Sequence, residues 1–114
     1  MPIIVRRAGP ADAAVVAEED GDVVGQLMLT REWSDWRNGW MWWIQSVYVR
    51  QDARRRGVFR ALYEHAHATA RREADVIGLR LYVERENHAA QQTYLKLGME
   101  WTSYLMLERC PLGE

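Results

Sequence analysis

Cysteine is almost absent from this chain. The single Cys110 cannot form an intramolecular disulfide, and no Cys-x-x-Cys spacing exists to hold a metal. A disulfide scaffold is excluded, and a lone thiol suits a reducing cytosol. Long apolar runs are missing as well. None approaches the roughly 20 residues that span a bilayer, and Met1 to Arg7 lack the apolar core of a secretory signal. The expectation is a soluble, cytoplasmic protein with no membrane partner. Net charge is nearly absent: fifteen basic and sixteen acidic residues leave -1. No global field draws the chain to nucleic acid. Lysine is reduced to Lys96 and phenylalanine to Phe59, whereas tryptophan occurs six times. Repeats, low-complexity tracts and linkers do not occur.

What remains is enough for one packed core. The 114 residues are 48% hydrophobic and 27% charged. That fits a single domain over residues 1–114 and excludes disorder or two independent enzyme domains.

Ile3-Ile4-Val5 is a short β-branched run that predicts a first strand, stopped by Ala8-Gly9-Pro10. Pro10 to Ala13 has the start of a helix but little chain to continue it. Ala14–Glu18 reads as a strand, Asp20-Gly21-Asp22 as a hairpin turn, and Val23–Thr30 as the return strand, kinked at Gly25. Glu32–Gly39 reads as a loop or hairpin connection. Met41–Val49 is the strongest strand; its apolar residues do not alternate cleanly, which predicts a central place in a sheet. Strand alternation puts Trp42 and Trp43 on opposite faces. Val58, Leu62, Ala66 and Ala70 recur at helical spacing, predicting a helix to Glu73. Asp75–Gly78 reads as a turn and Leu79–Glu84 as a strand. Asn87 can cap a helix over His88–Leu97, with Gly98 at the position after its end. Trp101–Glu108 reads as a last strand. The predicted fold class is α/β, a mixed sheet with flanking helices in the order β-β-β-β-α-β-α-β.

The segment with most chemistry runs from Val47 to Leu62. A strand enters an arginine-rich loop containing Gly57, and a helix follows. The N–H groups of a first helical turn lack intrahelical partners and carry partial positive charge, so an anion with several oxygens binds them well. Between Arg50 and Arg60 five arginines stand against Asp52 alone, a local +4. This points to a phosphate-bearing ligand. A solvated basic loop that merely caps a helix accounts for the composition equally well. Neither the Walker pattern nor GxGxxG is present.

These residues resemble a family. Ser46 to Leu62 is similar to motif A of the GCN5-related N-acetyltransferases: a strand, a (Gln/Arg)-x-x-Gly-x-(Gly/Ala) loop, and a helix. Here the loop reads Arg54-Arg55-Arg56-Gly57-Val58-Phe59. Asn87 to Met99, with Tyr94 and Gly98, resembles the second signature of the same family. Phe59 departs from the pattern, standing where Gly or Ala is usual.

The resemblance implies acetyl-CoA as acyl donor and an unidentified primary amine as acceptor. It assigns the pyrophosphate to the backbone of Arg54, Arg55, Arg56, Gly57, Val58 and Phe59, and the charge of Arg60 falls at the same end. It assigns the pantetheine arm to the end of the strand at Val47, Tyr48 and Val49, and a further cofactor contact to Asn87. Tyr94 takes the position that protonates the departing thiolate. Read from the residues alone, Tyr94 is a core tyrosine on the stripe with Ala90 and Leu97, and Asn87 is a helix cap. Glu32, Asp35, Glu84 and Glu86 are candidate general bases with nothing to choose among them.

The family has two helices between its first two strands. Here Arg6 to Ala13 is the only chain between Val5 and Ala14, and Arg7–Asp12 looks like the start of the first of them. A short variant lacking most of this helical pair is expected. Its uncovered sheet would favour a homodimer, or an open site for a bulky acceptor. The competing expectation is a catalytically weak CoA-binding or interaction module of the same fold.

Overall fold

Asp20 and Gly21 turn the chain with φ of 53° and 83°. Two successive positive φ values are what a two-residue hairpin of type I′ requires, and Asp-Gly supplies them at low cost. The turn joins β2 (Ala14–Glu19) to β3 (Asp22–Ser34). The computed structural model describes residues 3–7 and 14–113. They fall into two compact units, Met1–Tyr82 and Val83–Glu114.

The first unit is a five-stranded mixed sheet. Its strands are β1 (Ile4–Arg7), β2, β3, β4 (Gly39–Val49) and β5 (Val76–Leu81), lying side by side in chain order. The first four are antiparallel, and β5 runs parallel to β4. A parallel neighbour needs a crossover, and α1 (Val58–Arg72) supplies it. Val58, Leu62, Ala66 and Ala70 form its buried stripe, as the helical spacing predicts. They meet a core of Ala17, Leu27, Leu29, Trp42 and Ile44. Fully burying a side chain such as Leu27 or Leu62 contributes roughly 1.5–3 kcal/mol. Gly25 lets α1 approach the sheet: a Cβ there would lie 2.7 Å from Val58 Cγ1.

Several boundaries differ from the sequence reading. Arg7 lies in β1 and pairs with Val15, so it does not start a helix. Residues 8–13, where the rest of that helix start was expected, lie outside the described residues. β3 and β4 continue through Ser34 and from Gly39, because Trp33 and Trp40 pair across the hairpin with ring centroids 5.2 Å apart. That aromatic pair outweighs the polar residues around it. Val76–Gly78 is strand, not turn. Gly78 lies opposite Met41, whose Cε would stand 2.8 Å from a Cβ, so the glycine serves close packing.

The second unit holds α2 (His88–Lys96). Asn87 Oδ1 accepts from Ala90 N at 3.1 Å, the expected cap. At the other end Gly98 N donates to Leu95 O and Met99 N to Tyr94 O, with Gly98 at φ 99°. This is the Schellman pattern, and it needs the positive φ that glycine supplies. Trp101–Glu108 was expected as a last strand. It carries no strand pairing among the described residues, and Leu105 and Leu107 are both 97% exposed. β-forming side chains do not make a strand without a ladder partner.

Candidate functional site

The end of β4 is paired on one side only. β5 accompanies it from Trp40 to Ile44 and stops at Leu81, whereas β3 continues along it to Val49. From Gln45 onward, within the described residues of this unit, β4 has no strand partner on the β5 side. A bulge opposite Met28 and Leu29 marks where the opening begins. Arg50 N donates to Val24 O at 2.8 Å. By antiparallel parity, Tyr48 then also directs its backbone groups to β3, and Val47 and Val49 direct theirs to the open edge.

The chain leaves this edge through a short 3-10 turn, Gln51–Ala53, and reaches α1 at Gly57. Arg55 (φ 65°) and Gly57 (φ 81°) both sit in the left-handed region. Turns with backbone in this region can gather N–H groups into a concavity that suits an anion. Among the described residues no side chain caps α1, and nothing beyond its chain neighbours lies within 4 Å of where a Gly57 Cβ would be. Space and uncapped donors therefore coincide. Phe59 is half-buried, its ring 6.3 Å from that of Tyr63, along the helix rather than across the loop.

The arginines are less free than the local count of +4 implies. Arg50 pairs with Asp52 at 2.5 Å, and this hydrogen bond holds the carboxyl below its ordinary value. Arg56 pairs with Glu19 of β2 at 2.5 Å, and Arg60 with Glu64 at 2.9 Å. Glu19 and Glu64 bring the local excess to +2. Arg54 Nε donates to Val49 O at 3.0 Å. The Glu64 partner is visible in sequence as an i,i+4 pair; Glu19 is brought in only by the β2–β3 topology.

Two candidate bases are displaced by geometry. Glu32 pairs with Met41, six residues before Val47, a distance of about 20 Å along a strand. Its carboxylate accepts from Trp43 Nε1 at 3.0 Å and from Arg80 at 3.2 Å. Asp35 lies farther still, in the β3–β4 turn. The tryptophans divide as alternation predicts. Trp42 is buried in the core, and the ring of Trp43 lies tilted against that of Tyr82, centroids 4.5 Å apart.

In the second unit, Tyr94 is half-buried on α2, and burial pushes its phenol above the ordinary value of 10. Asn87 caps the same helix. Glu84 and Glu86 are exposed. Among the described residues no helix is long and apolar enough to cross a membrane.

The sequence matches the Acetyltransferase (GNAT) family over residues 3–99. The chain belongs to the GNAT acetyltransferases. A possible acetyltransferase from Clostridium difficile 630 is 44% identical, with a TM-score of 0.78, and the match covers 84% of this chain and 63% of that one. The GNAT chain described here thus spans under two thirds of that relative's length. Arabidopsis thaliana Naa50, solved with the bisubstrate analogue CoA-Ac-MVNAL, is 20% identical at a TM-score of 0.69, covering 85% of this chain and 66% of that one. An aminoglycoside acetyltransferase from an uncultured soil metagenomic sample is 22% identical at 0.69, covering 84% and 64%. These last two likenesses are of fold. No curated protein sequence matches the chain.

Proposed function

We propose that this GNAT protein transfers the acetyl group of acetyl-CoA to a primary amine by direct attack in a ternary complex. The observation that carries the reading is the open edge of β4 beyond Ile44, continuous with the uncapped N-terminus of α1. An extended pantetheine arm would add to that edge as a strand does, through Val47 and Val49. The pyrophosphate would meet the Arg54–Arg60 turn, where two backbone positions have positive φ. The family match runs through both units, which supports one catalytic domain over residues 1–114.

The amine nitrogen attacks the thioester carbonyl, the C–S bond breaks, and the thiolate takes a proton from Tyr94. The attacking nitrogen loses its own proton to solvent or a base. An N–H at the Val47 edge would stabilise the oxygen that gains charge during attack. Tyr94 is a phenol held protonated by burial, which suits a donor at neutral pH. Asn87 caps α2 and so fixes the helix that carries Tyr94. We place the enzyme in the cytoplasm and as a homodimer, its second copy covering the sheet face that exposes Met28 and Tyr48.

Calorimetry with acetyl-CoA on the purified protein tests the reading; absence of binding at about millimolar ligand, or roughly -4 kcal/mol, overturns it. One observation favours a weaker module instead: only residues 8–13 join the paired ends of β1 and β2. A chain that binds acetyl-CoA but turns over none of a panel of aminoglycosides, polyamines, amino acids and peptides would be that module.

A further inference from the structure

The proposed acyl-transfer edge is the end of β4. The start of β4 borders a cavity of about 370 Å³, within the span of roughly 300–1,000 Å³ usual for small-molecule sites. It belongs wholly to the Met1–Tyr82 unit. Trp40 and Trp42 give it an aromatic wall. Two cations border it from the sheet, Arg7 at the end of β1 and Arg31 on β3. Two carboxylates border it where α1 gives way to β5, at Glu73 and Asp75.

The first notable feature is that these opposite charges share a cavity without pairing. Five arginines elsewhere in the molecule find carboxylates: Arg6 with Glu18, Arg50 with Asp52, Arg56 with Glu19, Arg60 with Glu64, Arg80 with Glu32. Among the described residues, none of the four groups around the cavity enters an ion pair. Their charges are also sorted, cations toward β1 and β3 and anions toward the end of α1. The C-terminus of a helix adds partial negative charge to the acidic side. Such a dipolar cavity is complementary to a ligand carrying one charge of each sign.

The second feature is independent. Trp42 is 8% exposed, and among the described residues its buried Nε1 has no hydrogen-bond partner. A buried N–H without an acceptor is rare, because its lost hydration is not recovered. Trp42 lines the cavity, but this N–H is closed off from it, so a ligand oxygen reaches it only if the ring shifts. The third is that Arg31 is already placed: its guanidinium lies 5.8 Å from the centroid of the Trp40 ring. A planar cation over an aromatic face keeps its donor edges free for a carboxylate.

We propose that this cavity binds a free α-amino acid with an apolar or aromatic side chain. The carboxylate lies toward Arg31 and Arg7, the ammonium toward Glu73 and Asp75, and the side chain against Trp40 and Trp42. Trp42 precedes Val47 by five residues, about 17 Å of strand, so this is a second site and not the seat of the acetyl acceptor.

Titration calorimetry on the full chain tests it, with L-phenylalanine, N-acetyl-L-phenylalanine and L-phenylalaninamide as probes. The expected result is saturable binding of L-phenylalanine and binding about tenfold or more weaker for each analogue, which lacks one of the two charges. Arg31→Gln and Glu73→Gln, both at exposed positions, are each expected to weaken L-phenylalanine about tenfold while leaving coenzyme A binding unchanged. Saturating coenzyme A is expected to leave L-phenylalanine affinity unaltered. No saturable binding at about 10 mM L-phenylalanine overturns the proposal. So does equal binding of either analogue, or displacement by coenzyme A. The analogues use the unaltered protein, so the outcome does not depend on the variants folding.

Discussion

The guanidinium of Arg54 donates to the backbone carbonyl of Val49 at 3.0 Å. This contact ties the arginine-rich loop back to the open end of β4. It joins two parts of the proposed cofactor site, the strand edge and the anion-binding turn, before any ligand arrives. A charged donor on a carbonyl is stronger than a neutral one, though exposure to water weakens it here.

Arg54→Ala is therefore expected to loosen the loop and remove one positive charge. Acetyl-CoA Kd should rise about tenfold, or roughly 1.4 kcal/mol, with little change in thermal stability. Calorimetry at two salt concentrations checks this, since the loss should shrink as salt screens the charge. An unchanged Kd would remove Arg54 from the site.

Gly25→Ala should act on the same site through packing. The added methyl would lie 2.7 Å from Val58 Cγ1, 3.3 Å from Leu62 Cδ1 and 3.2 Å from the Tyr48 carbonyl. Something must shift, and the first turn of α1 is what Val58 holds down. Overpacking of this kind costs about 1–3 kcal/mol. The urea midpoint is expected to fall, and acetyl-CoA affinity with it, although Gly25 is not among the residues assigned to the ligand.

The fold and the site were readable from sequence to different depths. Local signals carried well. Asp20-Gly21 marked a hairpin, Asn87 and Gly98 bounded a helix, and the Val58–Ala70 stripe faced the core. These depend on short-range φ preferences and periodicity. Features that depend on partners were not readable. Gly78 looked like a turn because its contact, Met41, lies on another strand. Trp101–Glu108 looked like a strand because side-chain composition is silent about whether a ladder partner exists. At the site, the order strand–loop–helix was visible from Val47 to Leu62. The length of open edge was not, since it is set by where β5 stops. The charge of the loop was overcounted because Glu19 arrives from β2.

His65 makes stability depend on pH. Burial holds its imidazole below the ordinary value of 6.5, with Arg72 and Arg7 adding to the effect. Between the folded and unfolded values the unfolded chain binds more protons, so folding is favoured as pH rises. This contribution is complete above about 6.5 and is lost as pH falls through the lower, folded value. The urea midpoint should decline on acidification across that window, and His65→Gln should flatten the decline. A slope unchanged in the variant would assign it to other groups.

Tyr94→Phe separates catalysis from binding. The substitution keeps the ring and removes the proton. If the phenol protonates the departing thiolate, kcat should fall about a hundredfold or more, the usual worth of a positioned acid. The Kd for acetyl-CoA should stay nearly constant, because the hydroxyl acts on charge that develops only as the C–S bond breaks. Burial pushes the phenol above 10, so the wild-type kcat should show no loss of this acid up to at least pH ~9. A purely packing tyrosine would give a different pattern: the variant would lose stability, or nothing, with kcat intact. Measuring kcat, Kd and thermal midpoint together on the variant therefore tells a proton donor from a buried ring on α2.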